Sequence, residues 1–459
     1  MKKENKENKK FIISDILPDG RMVEMIYKEE INITQLITFD GEQIEYNNEI
    51  YLPDVLLAPY SAKNSLISKK VIKLPSEATE YGTEKELLGK IQKFIHKYLD
   101  INLVFEKIAS YYVLFTWCFD RFNELPYLRA IGDWGSGKSR FLQVVGSICY
   151  KPIFAGGATT TSPLFRIIDE ARGTVILDEA DYRFSDTTTD IIKILNCGYQ
   201  KGIPVLRSEG TGKGKFDVKS YDVFCPKIIA TRKQFNDQAL ESRFLVEEME
   251  KKDLREDIPI NLPDSFENEA LELRNQLLMW RFRNFHKVGL KTDAIDRSIE
   301  PRLNQITIPL LSIIDDDQTR DEIKKSVQEY NKELFTDRGM SLEAEVLIAL
   351  FTKYEAGYPD PTMKDVSDTH AAQNELNDKE KLKPRRVGNL IRKQLKLIVV
   401  RKGIGFVVPE MENKQKLIRL KQKYSIPGQE KPDTMNEMNV VNVQQASNTT
   451  NKIIIDDLF

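Results

Sequence analysis

Apolar residues come in short β-like runs near the start of the chain: Phe11–Ile16, Arg21–Tyr27, Ile31–Phe39 and Glu49–Ala58. Asp-Gly pairs at 19–20 and 40–41 and Asn-Asn at 47–48 separate them, and such pairs favour tight turns. A small β-rich N-terminal domain is therefore expected over 11–80, behind a solvated tail at 1–10. The period then changes. Between Glu84 and Leu99 the apolar positions are 87, 88, 91, 94, 95 and 98, one face of a helix. Leu103–Phe122 continues that pattern, giving a helical collar over 83–125. From 126 to 250, β-branched runs alternate with helical stretches, the layout of a parallel sheet covered by helices. A helical block follows at 251–338, then a compact mixed segment at 341–409 and a basic helix within 410–426. The polar stretch 427–459, rich in Asn, Gln, Ser and Thr, is expected to be disordered.

Composition narrows the class. The 459 residues are 41% hydrophobic and 30% charged, as in ordinary globular proteins. No apolar run follows the basic start, so no secretory signal is read. The most apolar stretch, Ile108–Phe119, ends at Asp120 and Arg121 and is too short to span a bilayer. A cytoplasmic protein is expected. Cys118, Cys149, Cys197 and Cys225 are scattered, with no CxxC pair and three histidines in the chain, which excludes the usual zinc spacings. The net charge of −2 means that any nucleic-acid contact must rest on local patches.

Chemistry concentrates in the alternating segment. Tyr127–Ile131 reads as a strand and runs into Gly132-Asp133-Trp134-Gly135-Ser136-Gly137-Lys138-Ser139, with an amphipathic helix over Arg140–Ser147. This is GxxxxGK[ST] between a strand and a helix. Glycines let successive N–H groups converge on phosphates, and the helix N-terminus adds partial positive charge. Lys138 would reach the β- and γ-phosphates, and Ser139 would offer its hydroxyl to Mg²⁺. Farther on, Thr174–Leu177 forms a buried strand whose end presents Asp178 and Glu179. Asp178 suits the metal and Glu179 the base that polarises an attacking water. Lys227–Arg232 is a third apolar strand, with Thr231 placed to orient that water. Arg243, within Ala239–Leu245, is where an arginine finger from a neighbouring subunit would sit. An ordinary surface arginine is the alternative there.

Walker A, Walker B, Thr231 and Arg243 in this order resemble an AAA+ ATPase: an α/β P-loop core with a helical lid. Between Walker B and Thr231 lies Pro204–Phe224, two strand-like arms around a Gly/Lys tip at Gly210–Lys215. A hairpin before this strand resembles the branch that includes MCM-type and superfamily 3 helicases. By that resemblance the hairpin enters a ring's pore, and Lys213 and Lys215 contact DNA phosphates. A solvated loop is the alternative. In the lid, Arg302 is the candidate second sensor, with an incidental helix arginine as the other reading. Over 341–409, three helices (Leu342–Tyr354, Met363–Leu376, Pro384–Leu395) precede a hairpin at Ile398–Val408, which reads as a winged helix. Nine basic residues and no acidic ones occur between Lys381 and Ile404. Arg385, Arg386, Arg392 and Lys393 on the third helix, with Arg401 and Lys402 on the wing, suit DNA phosphates.

The whole order is similar to MCM-like AAA+ helicases carried by bacterial mobile elements such as the staphylococcal cassette chromosomes. Gly198–Arg207 and Pro384–Ile391 add to that similarity, which covers about 85–424, whereas 11–80 matches no named family. The resemblance implies a homo-oligomeric ring, hexameric in that family, that moves on DNA using ATP and Mg²⁺ in DNA replication. The competing reading is a DNA-bound AAA+ loader or regulator that recruits a partner helicase without unwinding DNA itself. The terminal Ile455-Asp-Asp-Leu-Phe459 resembles sliding-clamp-binding peptides, with a strand docked on the protein itself as the alternative.

Overall fold

The computed structural model describes residues 9–156, 159–178, 186–210, 216–235, 237–250, 254–339, 341–377, 380–403, 405–424 and 426. It divides into two compact units, residues 1–331 and 332–459.

The first unit opens with β1 (Lys9–Ile12), β2 (Ser14–Ile16), β3 (Met22–Lys28), β4 (Ile33–Phe39), β5 (Ile44–Asn47), β6 (Ile50–Tyr51) and β7 (Leu56–Pro59). Strands β2 to β5 form an antiparallel sheet in chain order, and β1 pairs in parallel with β7, which pairs with β6. After the single-turn α1 (Ser65–Ser68) come α2 (Glu84–Tyr98) and α3 (Leu103–Thr116). Thr83 and Glu86 close a capping box at the start of α2, and the Asn102 side chain accepts from the Val104 amide at the start of α3. Helix α3 is buried over most of its length. No helix among the described residues is long and apolar enough to cross a membrane.

Next come β8 (Tyr127–Ile131), α4 (Lys138–Ser147), β9 (Ile153–Ala155), α5 (Thr161–Ala171), β10 (Val175–Leu177) and α6 (Asp186–Cys197). The antiparallel hairpin of β11 (Val205–Gly210) and β12 (Phe216–Tyr221) leads to β13 (Lys227–Thr231), α7 (Gln238–Glu241) and β14 (Phe244–Glu248). Strands β14, β8, β13, β10 and β9 lie side by side in that order, all parallel. With its flanking helices this sheet is a P-loop α/β core. Strand β13 sits between β8 and β10, with Thr231 opposite Ile131 and Ile229 opposite Leu177. The ends of these three strands therefore share one edge of the sheet. Helix α4 packs across β8, β13 and β10.

Helices α8 (Ser265–Asn284) and α9 (Pro301–Leu311) complete this unit, and α10 (Asp317–Gly339) runs across the boundary at residue 331. One hydrophobic cluster extends from Ile12 to Val327, so the N-terminal strands share their core with the parallel sheet and α8. A buried polar knot reinforces this. Glu24 of β3 accepts from the Tyr150 hydroxyl at 2.6 Å and from Arg281 of α8 at 2.9 Å, and stands 3.1 Å from the Lys151 ammonium.

The second unit has its own core. It contains α11 (Leu342–Glu355), α12 (Met363–Gln373), α13 (Pro384–Asn389), the hairpin β15 (Val400–Lys402) and β16 (Gly405–Val407), and α14 (Glu410–Lys423). The expected third helix is not uniformly α: Leu390–Gln394 is a π turn, with the Leu395 amide donating to the Leu390 carbonyl.

Candidate functional site

The loop after β8 turns at the shared edge of the sheet. Gly137 has φ +92°, a left-handed backbone immediately before α4. Gly132 has no room for a side chain: a Cβ there would lie 2.3 Å from the Met249 carbonyl oxygen. Gly137 supplies no side-chain cap to α4, and its first turn holds no acid. A helix N-terminus without a side-chain cap or an acid in its first turn favours an anion.

The side chains around this loop converge. The Lys138 ammonium donates to the carbonyls of Gly132 at 2.7 Å and Asp133 at 2.5 Å, which folds it inside the loop. The Ser139 hydroxyl donates to the Asp178 carboxylate at 2.9 Å, joining the start of α4 to the end of β10. Thr231, at the end of β13, is 1% exposed, and its Oγ1 is buried with no hydrogen-bond partner among the described residues. Lys138, Ser139, Asp178 and Thr231 line one cleft of about 390 Å³. A second, mainly apolar cleft of about 230 Å³ borders the same loop, between Tyr98 and Leu99 on one side and Met249, Leu254 and Ile258 on the other.

Chemically, the first cleft offers backbone N–H groups and a lysine for phosphate, and a hydroxyl–carboxylate pair for a hard cation. Mg²⁺ is held by oxygen ligands and needs only one or two carboxylates alongside substrate oxygens, so the donor set fits it. Glu179, the candidate base, lies outside the described residues, as do Lys213 and Lys215 and the Ile455–Phe459 segment. The hairpin arms that lead to the lysine tip are in place. Arg166 of α5 reaches Glu209 of β11 at 2.5 Å and ties the hairpin to the core.

The arginines divide into two groups. Arg243 is 6% exposed, donates to the Asn196 side chain, and stacks over the Tyr199 ring at 4.1 Å. Arg302 donates to the Ala239 carbonyl at 3.1 Å. Both therefore lie beside α7, and neither lines the 390 Å³ cleft. Arg140 and Arg232 do line it. Arg140 is held by the Pro259 and Ile260 carbonyls. Arg232 stacks over the Trp134 ring at 4.5 Å. Sequence reasoning gave Arg232 no role, although its place directly after Thr231 at a strand end was the available signal. It also missed Arg129 on β8, which is 1% exposed and forms a two-pronged pair with Glu241 at 2.7 and 2.5 Å. A cation in the middle of an apolar strand gives no local sign of its partner.

In the second unit Arg385, Arg386, Arg392 and Lys393 are exposed, as are Arg401 and Lys402 of the hairpin. Lys402 is paired with Asp360. Arg392, on the π turn, lies 5.2 Å from the Phe406 ring centre, and Arg401 lies opposite Phe406 across the hairpin at 6.0 Å. Phe406 is 46% exposed.

No protein-family model matches the chain, and no curated protein matches it. Solved structures that resemble it include the following two. One is described as the A form apo structure of NrS-1 C terminal region-CTR, at 12% identity, with 84% of this chain and 96% of that chain covered and a TM-score of 0.35. The other is described as SCCmec type IV Cch, active helicase, at 12% identity, with 89% and 80% covered and a TM-score of 0.39. Likenesses this distant carry no argument about function, which rests on the geometry above.

Proposed function

We propose that the chain is an ATP-driven DNA helicase or translocase of the AAA+ type, built as a ring of identical subunits and serving replication of a mobile genetic element. The observation that carries this reading is the convergence of Lys138, the Ser139–Asp178 pair and Thr231 on one cleft at the end of a parallel sheet. The phosphates of ATP would lie against the first turn of α4. The apolar cleft beside Tyr98 would take the base. Mg²⁺ held by Ser139 and Asp178 would neutralise charge between the β- and γ-phosphates. Lys138 would move from the loop carbonyls to the phosphates, Glu179 would draw a proton from the attacking water, and Thr231 would orient that water.

Arg243 and Arg302 both lie beside α7 and outside the cleft; to serve a neighbouring subunit's nucleotide, Arg243 would leave Asn196 and the Tyr199 ring that hold it here. In this reading the N-terminal domain is 11–80, the collar 83–125, the ATPase core 126–250 and the lid 251–338. The 341–409 segment is a winged helix whose exposed Arg385, Arg386, Arg392, Lys393, Arg401 and Lys402 meet DNA phosphates, followed by the basic helix at 410–426. Lys213 and Lys215 at the hairpin tip would grip DNA in the pore, and Ile455–Phe459 would bind a sliding clamp or another replication protein. The protein would act in the cytoplasm.

The test is strand displacement on a forked duplex with purified protein, with Lys138→Ala as the control. ATP-dependent displacement that is lost in the control supports the reading. ATP hydrolysis without displacement would move the assignment to a loader or regulator.

A further inference from the structure

The core contains an ion pair that the account above leaves without a task. Arg129 lies in the middle of β8, opposite Ile229 of β13 and Val246 of β14, and is 1% exposed. Glu241, the last residue of α7, is 5% exposed. The guanidinium reaches both carboxylate oxygens, at 2.7 and 2.5 Å. A pair buried this deeply is a weak source of stability. Desolvation offsets most of the attraction, and two apolar side chains of similar volume would hold the fold as well. Packing alone therefore does not account for it.

The carboxylate has a third donor. The oxygen that accepts from Arg129 Nη1 also accepts from the Phe235 backbone N–H, a charge-assisted bond. Phe235 lies just past the bend that leaves β13 at Thr231, and Thr231 lines the cleft with Lys138, Ser139 and Asp178. One end of that bend is fixed by the ladder to β8, where Thr231 stands opposite Ile131. The other end is fixed by Glu241. Rings reinforce this second anchor: Phe235 stacks on Phe244 with centroids 5.8 Å apart, and the Arg129 guanidinium lies 5.8 Å and 4.7 Å from the two ring centres. The strand that runs into the phosphate loop is thus joined, through Arg129 and Glu241, to the bend beyond Thr231.

We propose that Glu241 is a positioning residue for nucleotide hydrolysis: its carboxylate, held in place by Arg129, fixes the bend after β13 and with it the Thr231 hydroxyl at the cleft. This inference rests on the nucleotide-hydrolysis reading. Neither Arg129 nor Glu241 lines the cleft. They act through Thr231, so they set turnover and leave nucleotide affinity nearly untouched. Small displacements of a group that orients a reactant cost large factors in rate.

The experiment measures MgATP affinity, kcat and the urea midpoint for the full chain and two double variants. The first, Arg129→Met with Glu241→Leu, removes both charges and the acceptor for the Phe235 amide. The second, Arg129→Met with Glu241→Gln, keeps an acceptor oxygen there. The first variant should stay folded, bind MgATP within about threefold of wild type and lose kcat about tenfold or more. The second should recover most of that loss, which a role in packing alone would not give. Combining the first variant with Thr231→Val tests the route: the combined protein should hydrolyse ATP no more slowly than Thr231→Val alone. Losses that multiply would overturn action through Thr231. If the first variant is folded and turns over at the wild-type rate, the proposal for Glu241 fails and the phosphate-loop reading stands. If the wild-type chain neither binds nor hydrolyses MgATP, the failure lies in that reading itself.

Discussion

Thr231→Val separates what the site needs for stability from what it needs for chemistry. The Thr231 hydroxyl is buried and has no hydrogen-bond partner among the described residues. A buried, unsatisfied hydroxyl costs about 1–3 kcal/mol. Valine has nearly the same shape and the same β-branched preference for a strand, so the substitution removes that cost and leaves no cavity. The variant should be more stable than wild type by about 1 kcal/mol, which corresponds to a rise in Tm of roughly 2 °C for a unit of this size. Its ATP hydrolysis should fall about 100-fold, since the group that orients the attacking water is gone. Thr231→Ser keeps the hydroxyl and should retain most of the activity. Calorimetric melting and a phosphate-release assay on the three proteins give both quantities. Valine that destabilises the fold by more than 1 kcal/mol, or that hydrolyses ATP at the wild-type rate, would refute the reasoning.

Three further outcomes are expected. Glu241→Leu should cost about 3–5 kcal/mol in urea unfolding, because among the described residues it leaves the Arg129 charge buried against the Phe235 and Phe244 rings, whereas adding Arg129→Met should recover most of that loss. Burial pushes the Lys151 ammonium down to about 8, against the pull of Glu24. The unfolded chain then holds the extra proton between about pH 8 and 10.5, and this site's contribution to stability rises with pH across that window. The stability of Lys151→Met relative to wild type should therefore fall by about 2 kcal/mol between pH 7.5 and 9.5, read from urea midpoints. Phe406→Ala should weaken binding to a duplex with a single-stranded end about tenfold and binding to blunt duplex little, by anisotropy, since an exposed ring flanked by arginines offers a stacking face to an unpaired base.

What could be read from the chain was what is local. Tyr127–Ile131 and Lys227–Arg232 are short apolar runs, and they are strands over Tyr127–Ile131 and Lys227–Thr231, the second one residue shorter than expected. The arms of the 205–221 hairpin are separated by a Gly/Lys tip and pair in simple register. Spacing alone brought Lys138, Ser139 and Asp178 to one place, since a phosphate loop and an acid at the end of a later strand of the same sheet need no distant information. What escaped depends on partners far along the chain. The turns within 11–80 are local and legible, whereas the contact of Glu24 with Arg281 spans more than half the sequence and is not. The π turn at Leu390–Gln394 escaped because an added residue per turn leaves the apolar spacing almost intact. The contacts that hold Arg243 escaped as well, because Asn196 and Tyr199 come from the region of α6 and leave no mark on its sequence neighbours.

The central claim is that the loop from Gly132 to Ser139 holds a nucleoside triphosphate against Asp178. Titrating MgATP into the purified chain and into Lys138→Ala, with calorimetric detection and phosphate release followed on the same samples, tests it most directly. The account predicts saturable one-to-one binding and turnover by the wild type, with both sharply reduced in the variant. A wild-type chain that takes up no MgATP at millimolar concentration, or a variant that binds and hydrolyses as well as the wild type, would contradict it.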